Sequence, residues 1–286
     1  TMFIGWFRKI SLILLTGVLI GGGADVVASA HAQQARRMKI VATTSLIAEI
    51  VSDLGGPTVE IATLIPPASC PGHFDIKPED MKTLADAQVF LLHSWQGRAF
   101  SDGIIRASGN PNLKKFVLEV PGNWMVPTVQ IAATERVAAM LAEVDPERAE
   151  AYRSAAARRT AAVQQVGAAQ TRRLAAADVT RVFVLANDMQ ADFVRWAGFR
   201  VAGLFGRGED MSPRDVEEAI RVGRSHAVRL VVDNLQSGKQ AGINIAKEIG
   251  ASQVTLSNFP GGFEGTEIWS KAIAKNVDLL IAAIGR

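Results

Sequence analysis

The sequence predicts an α/β protein with two parallel-sheet lobes joined by a single long helix and a ligand cleft between the lobes. Short apolar strand runs alternate with helical stretches from Lys39 to Leu92, and the alternation restarts at Val182 and continues to the C-terminal helix. Between them, Asp145-Pro146-Glu147 opens an Ala/Arg/Gln-rich segment that runs to about Ala177 with no further Pro in its interior. Two lobes of one architecture leave a crevice between them, the usual place for a small ligand.

Taken in order, Arg8 and Lys9, the apolar run Ile10 to Ile20 and Ala30-His31-Ala32 match the charged, apolar and small-residue parts of a secretory signal. The expected cleavage lies after Ala32. A membrane anchor is the competing reading, but Gly21 to Gly23 break a run that is short of the roughly 20 apolar residues a spanning helix needs. No Cys follows that could be lipidated. The expected division is residues 1–32 signal peptide, 33–144 N-terminal lobe, 145–177 linking helix and 178–286 C-terminal lobe.

The first lobe reads as strand Ile40 to Thr43, helix Leu46 to Asp53, strand Val59 to Leu64, helix Pro78 to Ala85, strand Val89 to Leu92 and strand Phe116 to Glu119, with the helix Thr134 to Val144 behind it. The long segment makes a weak heptad, so it reads as a linking helix and not a coiled-coil seam, despite Gly167 in its path. The second lobe reads as strand Val182 to Leu185, helix Ala191 to Ala197, strand Arg200 to Phe205, helix Pro213 to Gly223 and strand Arg229 to Val232. Helix Gln240 to Ile249, strand Gln253 to Leu256 and a last helix Ile268 to Ile284 complete it.

Composition excludes some classes. The formal charge is only +3 and the basic residues are scattered, so there is no nucleic-acid footprint. A single cysteine cannot form an internal disulfide, and Cys70 is a free thiol whose export favours burial or coordination over idle exposure. The zincin H-E-x-x-H motif, the G-x-S-x-G elbow and a phosphate-binding Gly loop with Lys do not occur. A secreted hydrolase built on Cys70 and His73, or on a metal, is the rival from another class, and the chain is read as not an enzyme.

The most informative stretch is Cys70-Pro-Gly-His-Phe-Asp-Ile-Lys-Pro-Glu-Asp80, where a thiol and an imidazole fall between a strand and a helix start. His73 could cap the helix and Cys70 fill a gap, since C-x2-H is half a metal site. His93 follows another strand of the same sheet, so the two imidazoles can face one crevice at the carboxyl ends of the strands. Asn123, Asn187, Gln190, Asn234, Gln236 and Asn258 recur at strand ends, either as turn formers and caps or as the lining of a polar pocket. Trp95, Trp124 and Phe263 could wall that pocket or belong to the core.

The order of these features resembles the substrate-binding proteins of bacterial metal-ion importers of the ATP-binding-cassette type, the zinc and manganese receptor family. The resemblance runs from Lys39 to the C-terminus. It is carried by Ile40 to Asp53, the Gly-His-Phe-Asp-Ile-Lys-Pro-Glu-Asp loop, Asp145-Pro146, Val232 to Gly250 with its Ser-Gly-Lys, and Gly-Thr-Glu-Ile-Trp with Asn276. It implies a periplasmic receptor, a monomer, that delivers a divalent transition-metal ion to the membrane permease of an importer. The ion expected is zinc first, then manganese, with copper as a softer variant favoured by Met125, Met189 and Met211.

The family holds its ion with three histidines and a carboxylate, and here the match is partial. His73 takes the first histidine position. The Pro-His-x-Trp-x-x-Pro pattern is written Pro121-Gly122-Asn123-Trp124-Met125-Val126-Pro127, so Gly122 replaces the second. Asn187-Asp188 stands where the third belongs, and the carboxylate falls near Asn258. The substitute metal set expected is His73, His93, Cys70 and Asp188, with Asp233 and Glu264 as further carboxylates in reach. Asn123, Trp124, Asn187, Gln190, Asn234, Gln236, Asn258 and Glu264 form the expected pocket, which suits a metal chelate or small organic ligand as the alternative cargo.

Overall fold

The computed structural model describes residues 37–285, so the expected signal peptide lies outside the described residues. The first sheet holds β1 (Met38–Ala42), β2 (Val59–Thr63), β3 (Val89–His93) and β4 (Lys114–Leu118), all parallel, in the order β2-β1-β3-β4. The second holds β5 (Phe183–Asn187), β6 (Arg200–Phe205), β7 (Leu230–Asn234) and β8 (Ser252–Leu256), in the order β6-β5-β7-β8 and again parallel.

Helices α1 (Ser45–Gly55), α2 (Pro78–Ala85), α3 (Gly97–Ser108) and α4 (Pro127–Val144) belong to the first alternation. The linking helix α5 (Ala149–Ala176) follows, then α6 (Ala191–Trp196), α7 (Pro213–Ser225), α8 (Gln240–Ile249) and α9 (Trp269–Ile284). Among the described residues no helix is long and apolar enough to cross a membrane.

Alternation along each strand assigns its side chains to opposite faces. In β3, Val89 and Leu91 enter one apolar core while Phe90 and Leu92 enter another with Leu84 and Ile104. In β7, Leu230 and Val232 join the first core and Val231 joins Leu185 and Ile245 on the far side. That first core is continuous from Ile47 of α1 through Val137 of α4 and Val163 of α5 to Leu280 of α9. The helices on one face of both sheets therefore share a single apolar interior.

Local chemistry starts and stops these elements where physics demands. Pro78 begins α2, and Asp80 accepts the Lys77 backbone N–H at 2.9 Å. Ser212 caps α7 reciprocally with Asp215. The Asp145-Pro146 signature makes one 3-10 turn, Pro146–Arg148, before α5 begins. There Asp145 Oδ2 accepts from Arg148 Nη1 at 2.7 Å and from the buried Tyr152 hydroxyl at 2.8 Å. Gly167 stays in the helix because a Cβ there would sit 2.8 Å from Cγ of Pro127. Its bare backbone admits the first turn of α4.

The structure corrects several expected bounds. α4 starts at Pro127, seven residues before Thr134, with Pro in the first turn. α3 lies where the sequence predicts no element: Gly97, Gly103, Ser101 and Asp102 dilute its pattern, yet Ile104 is fully buried and Gly109 ends the helix at φ 63°. β5 and β7 run on to Asn187 and Asn234, burying polar residues at their carboxyl ends.

Candidate functional site

In each sheet the chain reverses its winding between the first and third strands formed, β1 and β3 in one, β5 and β7 in the other, which opens a crevice at their carboxyl ends. Thr43 and Thr44 follow β1, and His93 ends β3. The same edge of the second sheet carries Asn187 at the end of β5, Asn234 at the end of β7, and the turns Asp188–Gln190 and Leu235–Ser237. Hydrogen bonds between these edges bring the two lobes together.

The two imidazoles expected to share an ion are differently placed. His93 is 2 % exposed, with Nε2 at 2.8 Å from Thr44 Oγ1. Its ring stacks on Trp95 at 5.1 Å and meets Trp124 edge-on at 4.3 Å. Burial pushes its pKa down to about 3, so it is a neutral ring packed inside the first lobe. His73 ends the turn Pro71–His73 and is exposed, with Nε2 3.5 Å from Oε1 of Glu209 across the cleft.

The other expected metal ligands do not join them. Cys70 is a half-buried free thiol at the start of the same turn. Asp188 is exposed and turns its Oδ1 back to the Met189 N–H at 2.7 Å. Asp233 faces into its own lobe, where Oδ1 accepts from Gly242 N at 3.2 Å and Oδ2 from Gln253 Nε2 at 2.6 Å. Glu264 lies exposed on the loop before α9. Among the described residues no three of His, Cys, Asp and Glu group as metal ligands. The structure does not bring the expected set of His73, His93, Cys70 and Asp188 together: His93 is a buried neutral ring, and Asp188 turns back on the Met189 N–H.

The amides do assemble. Asn123 Nδ2 donates to Asn258 Oδ1 at 2.8 Å and to the Met189 carbonyl at 3.0 Å. Gln190 Nε2 donates to Asn234 Oδ1 and to Asn258 Oδ1, each at 3.0 Å, while its buried Oε1 has no protein partner. Gln236 accepts from Asn258 N at 3.1 Å and donates to the Pro67 carbonyl at 2.7 Å. Asn187 is buried, receives Met189 N at 3.1 Å and donates to the Gly206 carbonyl at 3.3 Å. Trp124 is core, with Nε1 donating to the Val120 carbonyl at 3.0 Å.

Sequence reasoning missed the loop after β6. Besides Glu209 it supplies Arg207, whose Nη1 stands 3.2 Å from where a Cβ of Gly72 would be, with Cys70 Sγ 3.7 Å from the same point. A guanidinium beside His73 opposes a dication there, and Glu209 offsets it. Only the clustering of Arg207, Glu209 and Asp210 after a strand could have drawn attention to this loop.

Gly122, in place of the family's second histidine, has φ 94°, and a Cβ on it would lie 3.2 Å from Cγ2 of Val129. The position is built for glycine and not for a ligand side chain.

A family model described as the zinc-uptake complex component A, periplasmic, matches residues 40–283. The chain belongs to this zinc-uptake family. Among curated relatives, the manganese-binding lipoprotein MntA of Bacillus subtilis is 26 % identical over 229 residues, covering 73 % of this chain and 74 % of that protein. The solved structure of a ZnuA covers 87 % of this chain and 99 % of its own with TM-score 0.70 at 20 % identity. The solute-binding protein FpvC of Pseudomonas aeruginosa in complex with Mn2+ covers the same shares with TM-score 0.74 at 21 % identity. These likenesses support the two-lobed fold, and the zinc-uptake family sets the class of protein.

Proposed function

We propose that this chain is the extracytoplasmic solute-binding receptor of an ATP-binding-cassette importer and carries a divalent transition-metal cargo, zinc first and manganese second. Residues 33–144 and 178–286 act as its lobes and 145–177 as their link, after removal of a signal near Ala32. The receptor works in the periplasm as a monomer, hands its cargo to a membrane permease, and catalyses no reaction.

The observation that carries the metal reading is the meeting of His73 and Glu209, one from each lobe, at 3.5 Å. An imidazole and a carboxylate are two ligands that zinc accepts, and their open surroundings leave its remaining positions to water or to donors brought with the ion. Glu209 replaces Asp188 as the second-lobe carboxylate.

A second reading has its own support. With amides in place of most charged donors, the crevice suits a metal chelate or a small organic ligand that exchanges hydrogen bonds with Asn123, Asn258 and Gln190. Calorimetric titration of chelator-stripped protein with Zn, Mn, Cu and Ni separates the two. A micromolar site lost in His73→Ala and in Glu209→Gln supports the ion. Absence of any such site, together with stabilisation by a small molecule from cell extract, supports the chelate or organic ligand.

A further inference from the structure

The contacts that close the cleft are made by protein on protein. Asn123 reaches Asn258 and the Met189 carbonyl, and Gln236 reaches the Pro67 carbonyl. Deeper along the same seam, Ser45 Oγ donates to the Pro260 carbonyl at 2.8 Å. At the back, Glu49 of α1 accepts the Trp269 N–H at the start of α9 and pairs with Arg159 of the linking helix at 3.4 Å. First lobe, link and second lobe are thus tied at front and back by direct bonds.

The chemistry at the front gives these ties their meaning. Asn258 stands where the resemblance puts the family's carboxylate, and Asn123 stands beside Gly122, its second histidine position. A carboxylate only accepts, and an imidazole that turns its lone pair to the same centre accepts there too, so at a metal site the two converge on the ion. Two amides each carry a donor and an acceptor, so they bond to one another and need nothing between. Gln190 extends the chain to Asn234 and braces Asn258 from within the second lobe.

We infer that this receptor closes on itself without cargo, the amide pair Asn123–Asn258 and the Gln236–Pro67 bond serving as a latch where relatives of this family put ligands. Closure then precedes loading: His73 and Glu209 already meet across the latched cleft before an ion arrives. The inference holds whichever cargo the receptor carries and goes beyond the reading above.

The test measures the distance between lobes in chelator-stripped full chain, with nitroxide labels on Lys82→Cys of α2 and Arg214→Cys of α7 in a Cys70→Ser background. The latch predicts one narrow distance distribution that zinc or manganese at millimolar concentration leaves unchanged. It also predicts that Asn123→Asp, which keeps the shape but turns a donor into an acceptor facing Asn258 Oδ1 and the Met189 carbonyl, broadens and lengthens the distribution. Asn123→Ala with Gln236→Ala should do the same, with circular dichroism reporting that each variant is folded. A broad distribution in the stripped parent that narrows only with metal overturns the inference, and this arm stands even if a variant fails to fold. Folded variants that keep the parent's distribution overturn it as well.

Discussion

Glu49 receives the backbone N–H of Trp269 on both carboxylate oxygens, each at 2.9 Å. A side chain of the first lobe thereby occupies the positive end of the C-terminal helix of the second. The same carboxylate pairs with Arg159, whose guanidinium also reaches Asp53 and Gln130, and whose side chain is 8 % exposed. Burial pushes the Glu49 pKa up against the pull of Arg159.

Removing that carboxylate leaves a buried cation short of a partner and a helix end uncapped. Glu49→Ala is expected to lower stability by about 3–5 kcal/mol, and Glu49→Gln by less because its amide oxygen still accepts from Trp269. Urea unfolding of both variants beside the parent checks the order; equal losses would mean that the retained acceptor counts for nothing and that charge alone matters at this junction.

Asp233 gives a dependence on pH. Its carboxylate is buried, and burial raises its pKa from 3.8 to about 6 despite the Gln253 and Gly242 hydrogen bonds. A carboxyl that holds its proton more tightly when folded favours the fold fully below the unfolded value. That favour is lost as pH rises from about 4 to about 6. Asp233→Asn should remove this part of the profile and stabilise the protein above pH 6, by at most about 3 kcal/mol. The gain requires Gln253 to turn its amide and present oxygen to the new Nδ2. Thermal melts from pH 4 to pH 8 read it out, and an unchanged difference between the two proteins across that range would refute the assignment.

Restoring the family's second histidine should fail. Gly122→His places a side chain at φ 94° and against Val129, so a loss of about 1–3 kcal/mol is expected and no gain in zinc affinity. Melting and titration of that one variant decide the matter, and a tenfold tighter zinc site would show that the backbone there adapts.

The two histidines should separate by readout. His93→Ala opens a hole between Trp95 and Trp124 and strands Thr44, for a cost of about 2–4 kcal/mol with cargo affinity kept. His73→Ala removes an exposed pair worth about 0–1 kcal/mol of stability and is expected to abolish metal binding, because the proposed site uses this imidazole. Calorimetry and chemical denaturation on the same samples give both numbers; a metal site lost with His93 and retained without His73 would reverse the two roles.

Much of this fold can be read locally. The strand runs Val59, Arg200 and Gln253 lead, the Pro78 and Pro213 helix starts and the Ala-rich link all announce themselves through spacing and turn chemistry. α3 does not, because two glycines and several polar residues hide a helix whose identity is fixed by the burial of Ile104. The amides at the strand ends are visible in sequence as candidates, and the structure brings Asn123, Gln190, Gln236 and Asn258 into one network. Which amide faces which, and that Glu209 and not Asp188 faces His73, depends on how two lobes far apart in sequence meet. His93 misleads for a related reason: position after a strand is local, whereas Thr44 and Trp124, which enclose it together with the adjacent Trp95, come from other parts of the chain.

The composition of the Asn123–Asn258 contact has a consequence for the environment in which the protein works. Carboxamides neither gain nor lose protons across the pH range of living surroundings, and a bond between two of them is little altered by dissolved salt. The neighbouring imidazole of His93, held to about 3, is equally silent. In a compartment whose acidity and salinity follow the medium outside the cell, this amide contact stays constant while histidine-lined sites would change their charge from one hour to the next.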